Sequence, residues 1–267
     1  MNKLEKLKKI LKGMNSALVA YSGGLDSTFL LRVAKEVLRD NVLAVTADSA
    51  TYPHEELVFA KRMAHILKVR HKIIKTQELK DRRFISNSIE RCYFCKRELF
   101  SRLKEIAREN KIRYVLDATN LSDEKDFRPG NKARKELGIR SPLQEVRFSK
   151  DGIRFWSKKL GLPTWNKPPS VCLASRVPYG LPISKTTLKK INQAERVLKK
   201  MGFNQVRVRH YNDLCRIEVP RAKIPLIIKR ADVLVKRLKR LGYCYVTLDL
   251  QGYRSGSLNE VLKRKSF

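Results

Sequence analysis

Three groups of residues in this chain have the types and the spacing to do chemistry. The first is Ser22-Gly23-Gly24-Leu25-Asp26-Ser27, two glycines followed by an acid and a hydroxyl. Glycines let backbone N–H groups converge on an anion, and a helix starting there adds the positive end of its dipole. Ser22 and Ser27 have hydroxyls to donate to phosphate oxygens, and Asp26 has a carboxylate to hold a magnesium ion on them. The second group is Cys92-Tyr93-Phe94-Cys95, a ligand pair for zinc or an iron–sulfur cluster, or a redox pair. Only one such pair exists, which argues against a closed four-cysteine zinc site; two buried core thiols are the remaining alternative. The third is Cys172, which a proline-rich stretch at residues 162–169 delivers just before Ser175-Arg176, as suits a site loop. Cys215 and Cys244 sit in alternating apolar runs and are expected in the core.

These groups need elements to position them. Residues 17–21 read as an apolar strand, the two glycines as a tight turn, and residues 28–34 as a buried helix. The turn is not a Walker loop, because no Gly-Lys-Ser/Thr follows a four-residue spacer, and it lacks the third glycine of the Rossmann fingerprint. Residues 42–47, ending at Asp48-Ser49, read as a second strand, 55–68 as a helix, and 71–75 and 114–117 as further strands. Strands alternating with helices predict an α/β fold with a doubly wound parallel sheet. Ligands of such sheets bind at the carboxyl ends of the strands, so residues 22–27, Asp48 and Asp117 are expected to share one crevice. Asp48 and Ser49 either face the adenosine of a bound nucleotide or cap the helix that follows. Residues 123–134 read as an ordered acid-rich loop, and a helix begins near Lys150.

The pattern changes near Ser184. A helix at 187–201, a hairpin of 206–210 and 215–219, a helix at 223–241 and a strand at 243–250 make a small α+β domain. The expected division is therefore residues 1–183 and 184–267. Arg207 and Arg209 lie two residues apart on one strand face, either ready to fork onto a phosphate or forming a solvated basic face.

The 267 residues carry a net charge of +33, from 59 Lys and Arg against 26 Asp and Glu. Such a balance suits a polyanion such as tRNA, or equally a solvated surface in a lysine-rich proteome. No apolar run approaches the roughly 20 residues that span a bilayer. The first twelve residues form a charged amphipathic helix rather than a signal peptide, so a cytoplasmic protein with reduced thiols and no membrane partner is expected.

Ser-Gly-Gly-Leu-Asp-Ser resembles the PP-loop of the ATP pyrophosphatases. Arg91-Cys92-Tyr93-Phe94-Cys95-Lys96, Asp126-Phe127-Arg128-Pro129-Gly130, Leu162-Pro163-Thr164-Trp165-Asn166-Lys167-Pro168, Cys172-Leu173-Ala174-Ser175-Arg176 and Val206-Arg207-Val208-Arg209-His210 follow in order. With them the chain resembles the LarE family of PP-loop sulfur transferases over residues 17–256. The resemblance implies ATP and Mg2+ at Ser22, Gly23, Gly24, Asp26, Ser27, Asp48 and Ser49. It implies a small-molecule nucleotide substrate, pyridinium-3,5-biscarboxylic acid mononucleotide, whose carboxylates are adenylated and then thiolated. Ser175, Arg176, Arg207 and Arg209 would hold its phosphate, with Glu195 near the metal or substrate.

Family members differ in their sulfur source. Some sacrifice a cysteine of the 170–176 loop; others, which this chain resembles, carry three cysteines that bind a 4Fe-4S cluster, here Cys92, Cys95 and Cys172. A homo-oligomer is also implied, with the sulfur donor left unnamed. Two positions depart from the family: Asp117-Ala118-Thr119-Asn120 lacks a glycine after the acid, and Leu226 stands where some relatives carry a metal-binding acid. A tRNA-thiolating enzyme of the same superfamily explains the charge better but leaves unexplained the paired-arginine hairpin that stands in place of an added RNA-binding module. A nucleotide-binding protein without turnover leaves Asp26, Ser27 and the three cysteines unexplained.

Overall fold

Ala17-Leu18-Val19-Ala20 forms the central strand β1 (Ala17–Ala20) of the computed structural model, which describes residues 1–125 and 129–263. With β2 (Val42–Asp48), β3 (Arg70–Lys75) and β4 (Tyr114–Leu116) it builds a wholly parallel sheet of order β3-β2-β1-β4. Side chains alternate across such strands, and the cores divide accordingly. Ala17, Val19, Val42 and Ala44 join one hydrophobic cluster, while Leu18, Leu43 and Val45 join the other. The first cluster is closed by α1 (Lys3–Lys12), α2 (Leu25–Leu38), α3 (His54–Ile66) and, further along the chain, residues of the Lys150–Lys159 helix; the second includes Phe100 and Leu103. The sheet is doubly wound.

The chain moves outward from β1 to β3 and then returns to lay β4 on the other side of β1. The winding reverses between β1 and β4, and at that switch point the carboxyl-end loops diverge and leave a crevice. Residues 22–27 and Asp117 leave the two strands that flank it. β1 stops at Ala20, one residue short of the expected end, although Tyr21 still donates its N–H to the Val45 carbonyl at 2.9 Å.

The remaining helices of the first unit are α4 (Arg82–Ile85) at its margin, α5 (Arg91–Glu109), α6 (Gly130–Glu136), α7 (Pro142–Glu145) and α8 (Lys150–Lys159). Helix α6 corrects part of the loop expected at 123–134. Its run of good helix formers, Lys132 to Glu136, buries Ala133 and Arg134. Asp126, Phe127 and Arg128 of the expected motif lie outside the described residues.

The chain divides into two compact units, residues 1–84 with 89–170, and residues 85–88 with 171–267. The Cys172 loop thus belongs with the second unit, whereas the composition change lies near residue 184. In that unit α9 (Lys185–Lys200) starts at Ser184, whose hydroxyl accepts from the Thr187 N–H at 3.0 Å. Strands β5 (Arg207–Tyr211) and β6 (Leu214–Glu218) form the expected antiparallel hairpin, and β7 (Tyr245–Leu248) pairs parallel to β6.

The single helix expected at 223–241 is two, α10 (Ile224–Lys229) and α11 (Ala231–Lys239). They part at Arg230, which leaves helical dihedrals (φ −112°, ψ 17°) and donates to the Met201 carbonyl at 2.7 Å. A last turn, α12 (Glu260–Lys263), ends the described chain. Cys215 is fully buried as expected, but Cys244 is exposed. Tyr243 takes the core position next to it, and Cys244 sits at the bend that leads into β7. No helix among the described residues is long and apolar enough to cross a membrane.

Candidate functional site

The turn at residues 22–27 has the form its glycines require. Gly23 has φ +69°, and a Cβ there would lie 2.9 Å from the Cβ of Ala60 on α3, so a side chain is excluded twice over. Gly24 is the N-cap of α2 and gives the helix no side-chain cap, which leaves the N–H groups of its first turn directed at the crevice. Ser22 and Ser27 join their hydroxyls at 3.0 Å across the turn, and Ser27 is buried while Ser22 is exposed. Asp26 stands in the first turn of α2, beside the dipole's positive end. Backbone donors, two hydroxyls and one carboxylate in six residues make an anion cradle with room for a cation.

Asp48 and Ser49 leave β2 at the same end of the sheet. Asp48 is exposed. The Ser49 hydroxyl binds Thr51 Oγ1 at 2.6 Å, accepts the Thr51 N–H at 3.0 Å and donates to the buried Glu78. It ties a turn instead of capping α3, whose N-cap is Pro53. Asp117 is likewise occupied: it accepts from Ser141, from Thr119 Oγ1 at 2.7 Å and from the Thr119 N–H at 3.2 Å. These bonds fix the chain where it leaves β4. Sequence reasoning missed the cation at the turn, Lys167, whose ammonium donates to the Gly23 carbonyl at 3.2 Å and to Glu56 at 2.9 Å. The one available signal was a lone cation in the rigid stretch before Pro168-Pro169.

Cys92 and Cys95 open α5, one turn apart on one helix face, the former exposed and the latter half-buried. Two accessible thiols so placed have the donor chemistry for iron or zinc, unlike the buried Cys215. Cys172 belongs to the second unit, half-buried at the N-cap of the short turn Leu173–Arg176. Within either unit, no three of His, Cys, Asp and Glu gather as a metal-holding group among the described residues. Leu226 packs against the core of the second unit, as its apolar character demands.

The second unit brings Ser175, Arg176, Arg207, Arg209 and Glu195 together. Arg176 is 2% exposed and grips Glu195 with two bonds of 2.8 and 3.1 Å, while also donating to Ser175 Oγ at 2.9 Å. Arg209 grips the buried Glu218 at 2.8 and 2.7 Å and donates to the Ser175 carbonyl and Ser257 Oγ. Glu218 and Ser257 were not legible as partners in the sequence. Arg207 differs from both. It donates to the Val206 carbonyl at 2.9 Å and lies over the Tyr253 ring, with no carboxylate at ion-pair distance among the described residues. Burial, and then the charge of Arg176, push its pKa down. A desolvated guanidinium without a counterion is a ready anion site. The loop that carries Ser175 is pinned by Asn87, fully buried, whose amide donates to the carbonyls of Val177, Pro178 and Leu181 at 3.3, 2.7 and 2.8 Å.

The family profile described as Queuosine biosynthesis protein QueC matches residues 16–92, the part that contains the phosphate turn. Over nearly the whole chain, similarity extends to three proteins. The uncharacterized protein slr1717 of Synechocystis sp. is 43% identical over 98% of this chain and 99% of its own. Pyridinium-3,5-bisthiocarboxylic acid mononucleotide synthase of Lactiplantibacillus plantarum is 41% identical over 95% of this chain and 92% of its own. The uncharacterized protein MJ0830 of Methanocaldococcus jannaschii is 31% identical over 96% and 98%.

Proposed function

The chain belongs to the LarE family of PP-loop sulfur transferases, and we propose that it converts the carboxylates of pyridinium-3,5-biscarboxylic acid mononucleotide to thiocarboxylates with ATP. The observation that carries this reading is the turn at residues 22–27, an anion cradle on an uncapped helix N-terminus at the sheet's switch point. A substrate carboxylate oxygen attacks the α-phosphorus, the bond to the β-phosphate oxygen breaks, and pyrophosphate leaves. The charge gathering on pyrophosphate is met by the N–H groups of the turn and by the Ser22 and Ser27 hydroxyls. Asp26 would hold Mg2+, which neutralises phosphate charge when bound. The acyl-adenylate then has AMP as a good leaving group, and a sulfur nucleophile attacks the acyl carbon as the C–O bond to AMP breaks.

Asp48 and Ser49 stand for the nucleoside end of this site, and Ser175, Arg176, Arg207, Arg209 and Glu195 for the substrate phosphate. The second group divides the work. Arg176 and Arg209 are held by Glu195 and Glu218 and brace Ser175, while Arg207 is left to meet the phosphate. For the sulfur source, the reading favours Cys92, Cys95 and Cys172 as ligands of a 4Fe-4S cluster, which supplies sulfide when bound. A cytoplasmic location and a homo-oligomer belong to the same reading, the latter as the family resemblance implies. The net charge of +33 supports tRNA thiolation as a second reading.

Protein prepared without oxygen tests the sulfur source, through its iron and acid-labile sulfide and those of Cys92→Ala, Cys95→Ala and Cys172→Ala. About four irons per chain, lost in each variant, are expected for the cluster. Iron-free protein that thiolates once, with Cys172 losing its sulfur, assigns a sacrificial cysteine instead. Specific retention of tRNA with no thiolation of the mononucleotide would favour the second reading.

A further inference from the structure

Residues 22–27 contain neither lysine nor arginine, although the turn is built to gather the negative charge of a phosphate chain. The fold brings the missing cation from 144 positions away. Lys167 Nζ donates to the Gly23 carbonyl at 3.2 Å and to Glu56 Oε2 at 2.9 Å, and lies 3.7 Å from the centre of the Phe59 ring. Its side chain is 16% exposed, so the charge is largely shielded from water. An ammonium has three donors, and these contacts engage two of them. Pro168 and Pro169 follow directly and restrict the backbone from which the flexible stem extends. Glu56 is in turn a carboxylate placed beside a phosphate turn, where its own charge opposes a bound anion.

We propose that Lys167 is the phosphate-binding cation of this site, moving from Glu56 to the pyrophosphate end of ATP, with Glu56 as the competitor that holds the ammonium until the nucleotide arrives. The inference rests on the ATP-dependent reading above and deepens it by naming a residue that distinguishes ATP from AMP. A purely structural clamp makes a different forecast. If Lys167 and Glu56 only held the turn together, loss of either would weaken all ligands of the turn alike. Competition instead gives the two substitutions opposite signs, and confines both effects to ligands that carry pyrophosphate.

The test is calorimetric titration of the full-length protein with ATP, inorganic pyrophosphate and AMP, each with magnesium. Lys167→Met is expected to weaken ATP and pyrophosphate by about tenfold or more, the scale of one charge-assisted bond, with AMP unchanged. Lys167→Arg keeps most of the affinity, and Glu56→Gln tightens ATP and pyrophosphate while leaving AMP alone. Equal affinity of Lys167→Met and wild type for ATP overturns the proposal, as does parallel weakening by Lys167→Met and Glu56→Gln. Wild-type protein that binds neither ATP nor pyrophosphate overturns the ATP-dependent reading itself, and this proposal with it.

Discussion

Removing a buried arginine usually costs stability, yet the cost should be small at Arg207 and large at Arg176. Arg176 and Glu195 are 3% and 4% exposed in their side chains and share two hydrogen bonds. Arg176→Met leaves the Glu195 carboxylate in the interior with the Val208 N–H, at 3.2 Å, as its remaining hydrogen-bond donor among the described residues. Breaking a buried pair from one side costs about 3–5 kcal/mol. Arg207 has no such partner. Arg207→Met gives up one bond to the Val206 carbonyl, about 1 kcal/mol, and a cation–π contact of about 0.5–1 kcal/mol. Against this it removes a desolvated charge that Arg176 repels, although Glu195 attracts it, so the loss stays below about 2 kcal/mol.

On the usual scale of about 2–4 °C per kcal/mol, Arg207→Met should lower the melting temperature by less than about 8 °C. Arg176→Met should lower it by roughly 6–20 °C. Scanning fluorimetry of the two variants beside wild type reads this, and titration with the pyridinium mononucleotide completes it. Arg207→Met should bind that substrate at least about tenfold more weakly, as loss of a charge-assisted phosphate contact requires. A large loss of stability in Arg207→Met, or unchanged substrate binding, would refute the assignment of Arg207 as the unpaired cation of the site.

Three further outcomes follow from the geometry. Gly23→Ala places a Cβ 2.9 Å from the Ala60 Cβ at φ +69°, which should cost about 2–4 kcal/mol and abolish ATP binding, read by melting and titration. Burial, the largest cause, raises the pKa of Glu98 above 4.5, with the Glu78 charge adding to it, against hydrogen bonds and charge from Gln77 and Arg102. The folded state then holds the proton more tightly than the unfolded one, so stability is highest below 4.5 and falls as pH rises through the raised value. Glu98→Gln should therefore melt higher than wild type at neutral pH and lose that advantage in acid. Asn87→Ala removes the donor to three carbonyls of the loop that carries Arg176, and trypsin should cut at Arg176 faster than in wild type.

The parts legible in the sequence are those written in local patterns. Alternation within residues 17–20 and 42–45 sorts their side chains onto the two faces of the sheet, and Gly23-Gly24 before Asp26 marks the turn. Cys92 and Cys95 were readable because the helix they open supplies their spacing. The hairpin placed Arg207 and Arg209 on one face, but pattern could not say which one would be neutralised. That depends on Glu218, which stands opposite Arg207 in the ladder yet binds Arg209 diagonally, and on Glu195 reaching Arg176, contacts made by folding. Lys167 was hidden for the same reason, since its partners Gly23 and Glu56 are distant in sequence. The helix at Gly130–Glu136 was masked by the acid-rich stretch before it, although its own residues favour helix. Cys244 was misplaced because the last strand begins only at Tyr245, which leaves Cys244 at an exposed bend beside the buried Tyr243.

The central claim is that ATP cleavage and thiolation are one reaction. Protein supplied with ATP, magnesium, sulfide and pyridinium-3,5-biscarboxylic acid mononucleotide should be followed for pyrophosphate release and, by mass spectrometry, for exchange of substrate oxygen for sulfur. Pyrophosphate and AMP that form only when the dicarboxylate is present, in step with each sulfur installed, are the predicted result. Pyrophosphate release indifferent to the dicarboxylate, or a substrate that emerges unthiolated, would contradict it.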